Sequence, residues 1–156
     1  MIEFCKLHDI ELIEAEAPVI YGLFRYDNDY LSALRSQFPN SNYVVLGGCI
    51  LDFNAIFYCR IMYCTKCREA HLLWTKLHNS QNGLAPSDEQ HKAYIESLKR
   101  KIGYPAIIPP KALGLIENGQ LNQAIKLLKV KNPKSSFSSI KAFVMAQHSK
   151  LSANNS

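Results

Sequence analysis

The sequence predicts an α+β chain: a first half carrying a small antiparallel sheet and a helical second half. Three observations predict it. Runs rich in β-branched and aromatic residues, bounded by turn residues, recur at Val19–Leu23, Tyr43–Leu51 and Ile56–Tyr63. Helical periodicity dominates from Ser87 onward. Between the two lies Asn-Ser-Gln-Asn-Gly-Leu-Ala-Pro, residues 79–86, a polar stretch holding two strong helix and strand breakers. The expected layout is an α+β domain over 1–79, a linker over 80–86, a basic helical domain over 87–150 and a frayed tail over 151–156.

In the first half, residues 2–8 read as a short strand running into a turn that holds Cys5 and His8. Asp9 to Ala17 reads as extended, and Pro18 as an interruption before Val19. Leu31, Leu34 and Phe38 are spaced as in a helix that Asp27 or Asn28 caps and Pro39-Asn40-Ser41-Asn42 ends. Tyr43 to Leu51 reads as a buried strand, with Gly47-Gly48 at a bulge or a close backbone approach. Ile56 to Tyr63 is then expected to pair with it as a hairpin and to deliver Cys64. After Cys67, the residues Ala70, Leu73, Trp74 and Leu77 recur at i, i+3, i+4, i+7 and predict a helix buried on that face.

Cys5-Lys6-Leu7-His8 and Cys64-Thr65-Lys66-Cys67 each separate two metal-ligand side chains by two residues. Two such pairs in one chain read as a single structural Zn²⁺ site held by Cys5, His8, Cys64 and Cys67, with His71 as the alternative to His8. Three thiolates and an imidazole fill a tetrahedral ion and leave no open position, so a structural metal is expected and not a catalytic one. A ligand pair at a strand-to-helix junction is the arrangement of zinc ribbons and treble clefs, and a helix N-terminus favours thiolates. Cys49 and Cys59 have no partner at ligand spacing and are expected to be small buried residues on strands. The order Cys-x-x-His, Tyr21-Gly22-Leu23, Phe38-Pro39-Asn40-Ser41-Asn42, Leu46-Gly47-Gly48-Cys49 and Tyr63-Cys64-x-x-Cys67-Arg68 resembles a group of small bacterial zinc-ribbon-like proteins. That resemblance implies zinc and a bacterial source, and no activity.

In the second half, Ser87-Asp88-Glu89-Gln90 is a capping-box pattern, and the helix it opens carries Tyr94, Ile95, Leu98 and Ile102 on one face up to Gly103. Tyr104 to Pro110 is extended because its three prolines fix φ. Pro110 opens a short helix that Gly119 closes. A helix from Leu121 to Val130 buries Ala124, Ile125 and Leu128, and a last helix starting at Ser135 or Ser136 turns Phe137, Ile140, Phe143 and Val144 inward. Ala124-Ile125-Lys126, then Ile140-Lys141 and Val144, are similar to the helical hairpin of the ribosomal stalk protein's C-terminal domain, although Asn132 to Phe137 replaces that family's Gly-Leu-Gly-Leu loop. The resemblance implies partner contacts through Lys126 and Lys141.

Apolar residues make up 47% of the chain and charged residues 20%, which excludes a disordered polyelectrolyte. No basic start with an apolar run opens the sequence, and Tyr43 to Leu51 is far too short to span a bilayer, so a cytoplasmic chain without a membrane partner is expected. Residues 1–79 hold 7 Lys+Arg against 9 Asp+Glu, and residues 80–156 hold 11 against 4. No nucleophile–base or His-Glu-His pattern appears, and no enzyme is expected. The expected function is a zinc-binding protein-interaction module. Such a module is an adaptor or an inhibitor, for instance a toxin-neutralising immunity protein. Its partner is another protein, acidic or a toxin, and Phe24, Tyr26 and Tyr30 are candidate interface aromatics. The alternative is a nucleic-acid- or ribosome-associated zinc protein, favoured by the basic second half.

Overall fold

The computed structural model describes residues 2–154. The chain divides into two compact units, Met1–Ile50 with Ile56–His91, and Leu51–Ala55 with Lys92–Ser156.

The first unit is α+β. A two-stranded antiparallel ribbon, β1 (Phe4–Cys5) and β2 (Ile10–Glu11), carries the first ligand pair in its turn. A three-stranded sheet follows in the order β4-β3-β5, built from β3 (Ile13–Tyr21), β4 (Val45–Gly48) and β5 (Tyr58–Tyr63). β3 pairs antiparallel with β5 from Ile13↔Tyr63 to Pro18↔Tyr58 and parallel with β4 from Val19↔Val45. Strand β3 thus runs through Pro18. The proline stands where the ladder passes from one neighbour to the other, and the next amide, Val19 N–H, reaches Phe57 O at 2.9 Å. Ala17 and Val19 point inward, and Glu14 and Glu16 point outward, the alternation of a half-buried strand.

The expected hairpin between Tyr43–Leu51 and Ile56–Tyr63 does not form, because β3 lies between them, and β4 is an exposed edge strand, not a buried one. The glycines mark a bulge, as the sequence suggests. The register shifts at Ile20/Tyr21, and the Tyr21 ring lies over Gly47, where a Cβ would come within 2.6 Å of it. The Tyr21 hydroxyl accepts from Ile56 N–H at 3.0 Å and donates to Ile56 O at 2.9 Å, fixing the approach to β5. With β4 at the edge, Cys49 is exposed, and Cys59 is half-buried; neither is the buried strand residue expected.

Helix α1 (Asn28–Ser36) is capped by Asp27, whose carboxylate accepts from Tyr30 N–H at 2.6 Å. It buries Tyr30 and Ala33, and Phe38 follows in the core just past its end. Tyr30 is therefore a core residue and not an interface aromatic. Helix α2 (Thr65–Leu77) begins directly after Cys64 and buries Cys67, His71, Trp74 and Thr75. Its inward face is rotated from the expected one: Trp74 is inside, while Leu73 and Leu77 are exposed. Cys67 must face the ligand cluster, and His71 and Trp74 follow it on the same face one and two helical turns on, which turns the leucines out. Residues 79–86, read as a linker, lie against this unit. His71 bonds Asn82 O, and Gly83 takes φ +69° under the Tyr30 hydroxyl, which a Cβ would meet at 1.9 Å. Gly83→Ala is expected to lower stability by roughly 1–3 kcal/mol, from overpacking and left-handed strain together; a urea midpoint equal to that of the parent protein would contradict this.

Helix α3 (Asp88–Lys101) opens with the capping box expected: Gln90 N–H donates to Ser87 Oγ at 3.3 Å, and Ser87 N–H to Gln90 Oε1 at 3.0 Å. Its residues through His91 belong to the first unit and the rest to the second.

The second unit is helical. Helix α4 (Pro110–Glu117), α5 (Leu121–Lys131) and α6 (Phe137–Asn154) enclose Ala112, Ile116, Ala124, Ile125, Leu128, Ile140, Phe143 and Val144. Pro110 sits in the first turn of α4, and Gly119 follows its C-cap at φ +71°. Ser136 caps α6, accepting from Ser139 N–H at 3.0 Å. The buried Asn132 side chain accepts from Ile107 N–H at 2.8 Å and donates to Ile107 O at 2.7 Å, tying the proline-rich segment to the end of α5. Phe137, expected inward, is 59% exposed: it is the first residue of α6, and only Ile140 and later residues reach the core. Helix α6 continues through Asn154, past the expected start of the frayed tail; Asn155 and Ser156 lie outside the described residues.

Candidate metal centre

Cys5, His8, Cys64 and Cys67 come together with their ligand atoms all within 4.8 Å of one another. Among the described residues they are the group of three or more Cys, His, Asp or Glu side chains that converges in this way. The three cysteines are fully buried, and His8 is half-buried.

Local backbone geometry produces each half of the cluster. Past Cys5, the amides of His8 and Asp9 return to Cys5 O at 3.2 and 2.8 Å, and Asp9 adopts φ +52° to turn the chain into β2. That tight turn aims Cys5 Sγ and His8 Nδ1 the same way, 3.6 Å apart. On the other side, Cys64 is the N-cap of α2 and accepts from Cys67 N–H through its sulfur at 3.4 Å. The first turn of the helix thereby brings Cys67 beside it. The helix N-terminus adds positive potential where negative sulfur collects.

The distances fit a tetrahedral zinc ion. Bonds of about 2.3 Å to sulfur and about 2.05 Å to nitrogen require tetrahedron edges of about 3.8 Å (S···S) and about 3.6 Å (S···N). Cys5 Sγ lies 3.7 Å from Cys67 Sγ, and His8 Nδ1 lies 3.6, 3.4 and 3.4 Å from Cys5, Cys64 and Cys67. A Cys₃His donor set at this spacing is compatible with structural Zn²⁺.

Asn40, a turn residue in the sequence pattern, organises the surroundings. Its side-chain amide donates to Cys5 Sγ at 3.3 Å, and its carbonyl accepts from Cys64 N–H at 2.8 Å. Burial raises the Cys5 thiol, but hydrogen bonds from the Asn40 side chain and the His8 and Leu7 backbone outweigh it and hold the thiol lowered to about 6. Burial pushes Cys67 up to about 12, with the neighbouring sulfurs adding to the shift. Nothing local in the turn of residues 39–42 marks this second layer, because its contacts reach Cys5 and Cys64 across distant chain.

Arg68 follows the last cysteine and is held by Ser41 O at 2.9 Å and Asn42 O at 3.1 Å. Its guanidinium lies 3.5 Å from the Tyr63 ring centroid and 4.6 Å from that of Tyr43. The Arg68 contacts tie the turn before β4 to the start of α2.

His71 stands outside the cluster. Its Nε2–H donates to Asn82 O at 2.8 Å, so Nδ1 accepts from the Ser41 hydroxyl at 3.1 Å, and its ring stacks on Phe38 with centroids 4.4 Å apart. Both nitrogens are used, and the imidazole is 1% exposed. Of the two candidates for the fourth position, His8 is the one whose nitrogen faces the sulfurs. Burial lowers the His71 pKa from 6.5. The imidazolium is disfavoured in the folded chain, so this residue's contribution to stability is complete above pH 6.5 and is lost as pH falls through the folded value. In an NMR titration of the zinc-loaded protein, His71 is expected to remain neutral at pH 6.5; a midpoint at or above that value would contradict its buried, doubly bonded state.

Lys126 on α5 and Lys141 on α6 are exposed. Among the described residues no helix is long and apolar enough to cross a membrane. No protein-family model, curated protein or solved structure matches this chain.

Proposed function

We propose that the first unit is a zinc-stapled module and that the protein works by binding another protein. Cys5, His8, Cys64 and Cys67 are the ligands in this reading, and the closed set assigns the metal to folding, with no catalytic role. The observation that carries the binding role is the outward face of α2. Leu73 and Leu77, one turn apart, are 60% and 74% exposed on a helix whose opposite face is pinned at Cys67. An apolar stripe on a rigid, metal-anchored helix suits an adaptor or an inhibitor, an immunity protein against a toxin among them. The motif order from Cys5 to Arg68 supports a bacterial source.

The charge division supports an acidic partner. The two units carry −3 and +8, and Lys126 and Lys141 are the contacts proposed on the basic one. Two experiments test the reading. Purification of the intact protein from its own cells is expected to retain one stoichiometric protein, lost when Leu73 and Leu77 are both replaced by Asp with zinc content unchanged. Retention of RNA or DNA in its place, with an affinity that falls linearly in log–log salt plots, would overturn the reading in favour of a nucleic-acid-associated protein.

A further inference from the structure

The first unit holds a cleft of about 350 Å³ lined by Glu16, Pro18, Tyr43, Tyr58, Arg68, Ala85, Pro86, Asp88 and His91. Its volume lies in the range that takes one small molecule. The cleft has a built floor. His91 is 2% exposed, donates through Nε2–H to Phe57 O at 3.0 Å, and meets the Tyr58 ring edge-on with centroids 4.9 Å apart. Arg68 is fixed by its two carbonyl partners and its tyrosine contacts.

The charges around the cleft are of both signs, and among the described residues Arg68, Glu16 and Asp88 form no ion pair. Glu16 lies opposite Arg60 in the sheet register, yet Arg60 pairs with Glu14 at 3.6 Å. Among the described residues, the ion pairs are Arg60–Glu14 and Lys99–Glu96, so Arg68 reaches neither Glu16 nor Asp88 within 4.0 Å. Glu16, Asp88 and His91 do not converge as metal ligands; the Cys₃His group is the cluster that does. A cation alone would meet the fixed guanidinium, and an anion alone would meet two carboxylates. A molecule carrying both charges satisfies both ends.

We propose that this cleft binds a small zwitterion of the α-amino-acid class. Its carboxylate meets Arg68, its ammonium meets Glu16 and Asp88, and its side chain packs between Tyr43 and Tyr58. This site is separate from the leucine stripe of α2, and its failure would leave the protein-binding reading standing.

The test is calorimetric titration of the zinc-loaded protein with each of the twenty free L-amino acids. The best binder's decarboxylated amine and its N-acetyl derivative are titrated as single-charge controls. At least one amino acid is expected to bind in the millimolar range or tighter, and either control to bind roughly tenfold or more weakly. Because Arg68 also supports the fold, the decisive variant is Glu16→Gln with Asp88→Asn. It is expected to weaken the amino acid roughly tenfold or more and to leave zinc content and the circular dichroism spectrum unchanged. Absence of binding by all twenty, equal binding by the amine alone, or a double variant that binds like the parent would each overturn the proposal.

Discussion

Cys64→Ser is expected to release zinc and unfold the first unit. Cys64 is fully buried, is one of the four converging ligands, and is the N-cap of α2 through its sulfur. Serine shortens the side chain and replaces a thiolate with a hydroxyl that zinc binds poorly, leaving three candidate ligands, two of them buried cysteines, around a damaged site. Zinc contributes about 10–16 kcal/mol in small structural sites, as large as the whole ~5–15 kcal/mol that holds a typical domain. The β1–β2 ribbon and α1 meet α2 around this cluster, with Cys5, Cys64 and Cys67 part of the same core as Tyr30, Phe38 and Trp74. Loss of the ion therefore opens the core itself. Circular dichroism and amide exchange are expected to show protection lost across β1–β5, α1 and α2. A Cys64→Ser protein that keeps native exchange protection there would show that the cysteines are merely packed.

Phe38→Ala is expected to cost about 3–5 kcal/mol. Phe38 is fully buried and stands at the centre of an aromatic group: Tyr30 at 6.2 Å, Trp74 at 6.1 Å and His71 stacked at 4.4 Å between centroids. Its removal leaves a cavity beside His71, which depends on that stack and on Ser41 and Asn82 for its position. Residues 39–42 follow immediately, so the cavity also loosens the Asn40 amide that donates to Cys5. The expected readout is a lower denaturant midpoint together with faster zinc transfer to a chelator. A stability loss below about 1 kcal/mol would mean the ring is not the centre of this core.

The converging group Cys5, His8, Cys64 and Cys67 and the caps were legible in the sequence because their signals are local. Cys-x-x-His and Cys-x-x-Cys carry their geometry in one turn each, and Asp27, the Ser87/Gln90 box, Pro110, Gly119 and Ser136 act within four residues. What was not legible depends on distant chain. The hairpin expectation failed because β3, some forty residues before β5, takes the middle of the sheet. Hydrophobicity alone turns the leucines of α2 inward, whereas Cys67, facing the cluster, sets the rotation of the helix. The role of Asn40 was invisible for the same reason: its two contacts join it to Cys5 and Cys64, far away in sequence. The cleft beside Arg68 draws on β3, β5, α2 and α3 and has no sequence signature at all.

One closed Cys₃His zinc site is proposed to hold the first unit together, and elemental analysis of the purified protein with X-ray absorption at the zinc edge decides it. Close to one zinc per chain is expected, bound by three sulfurs and one nitrogen, with loss of the first unit's fold when a strong chelator removes it. A chain that is metal-free and fully folded, or a zinc ion with a bound water in its first shell, would contradict it.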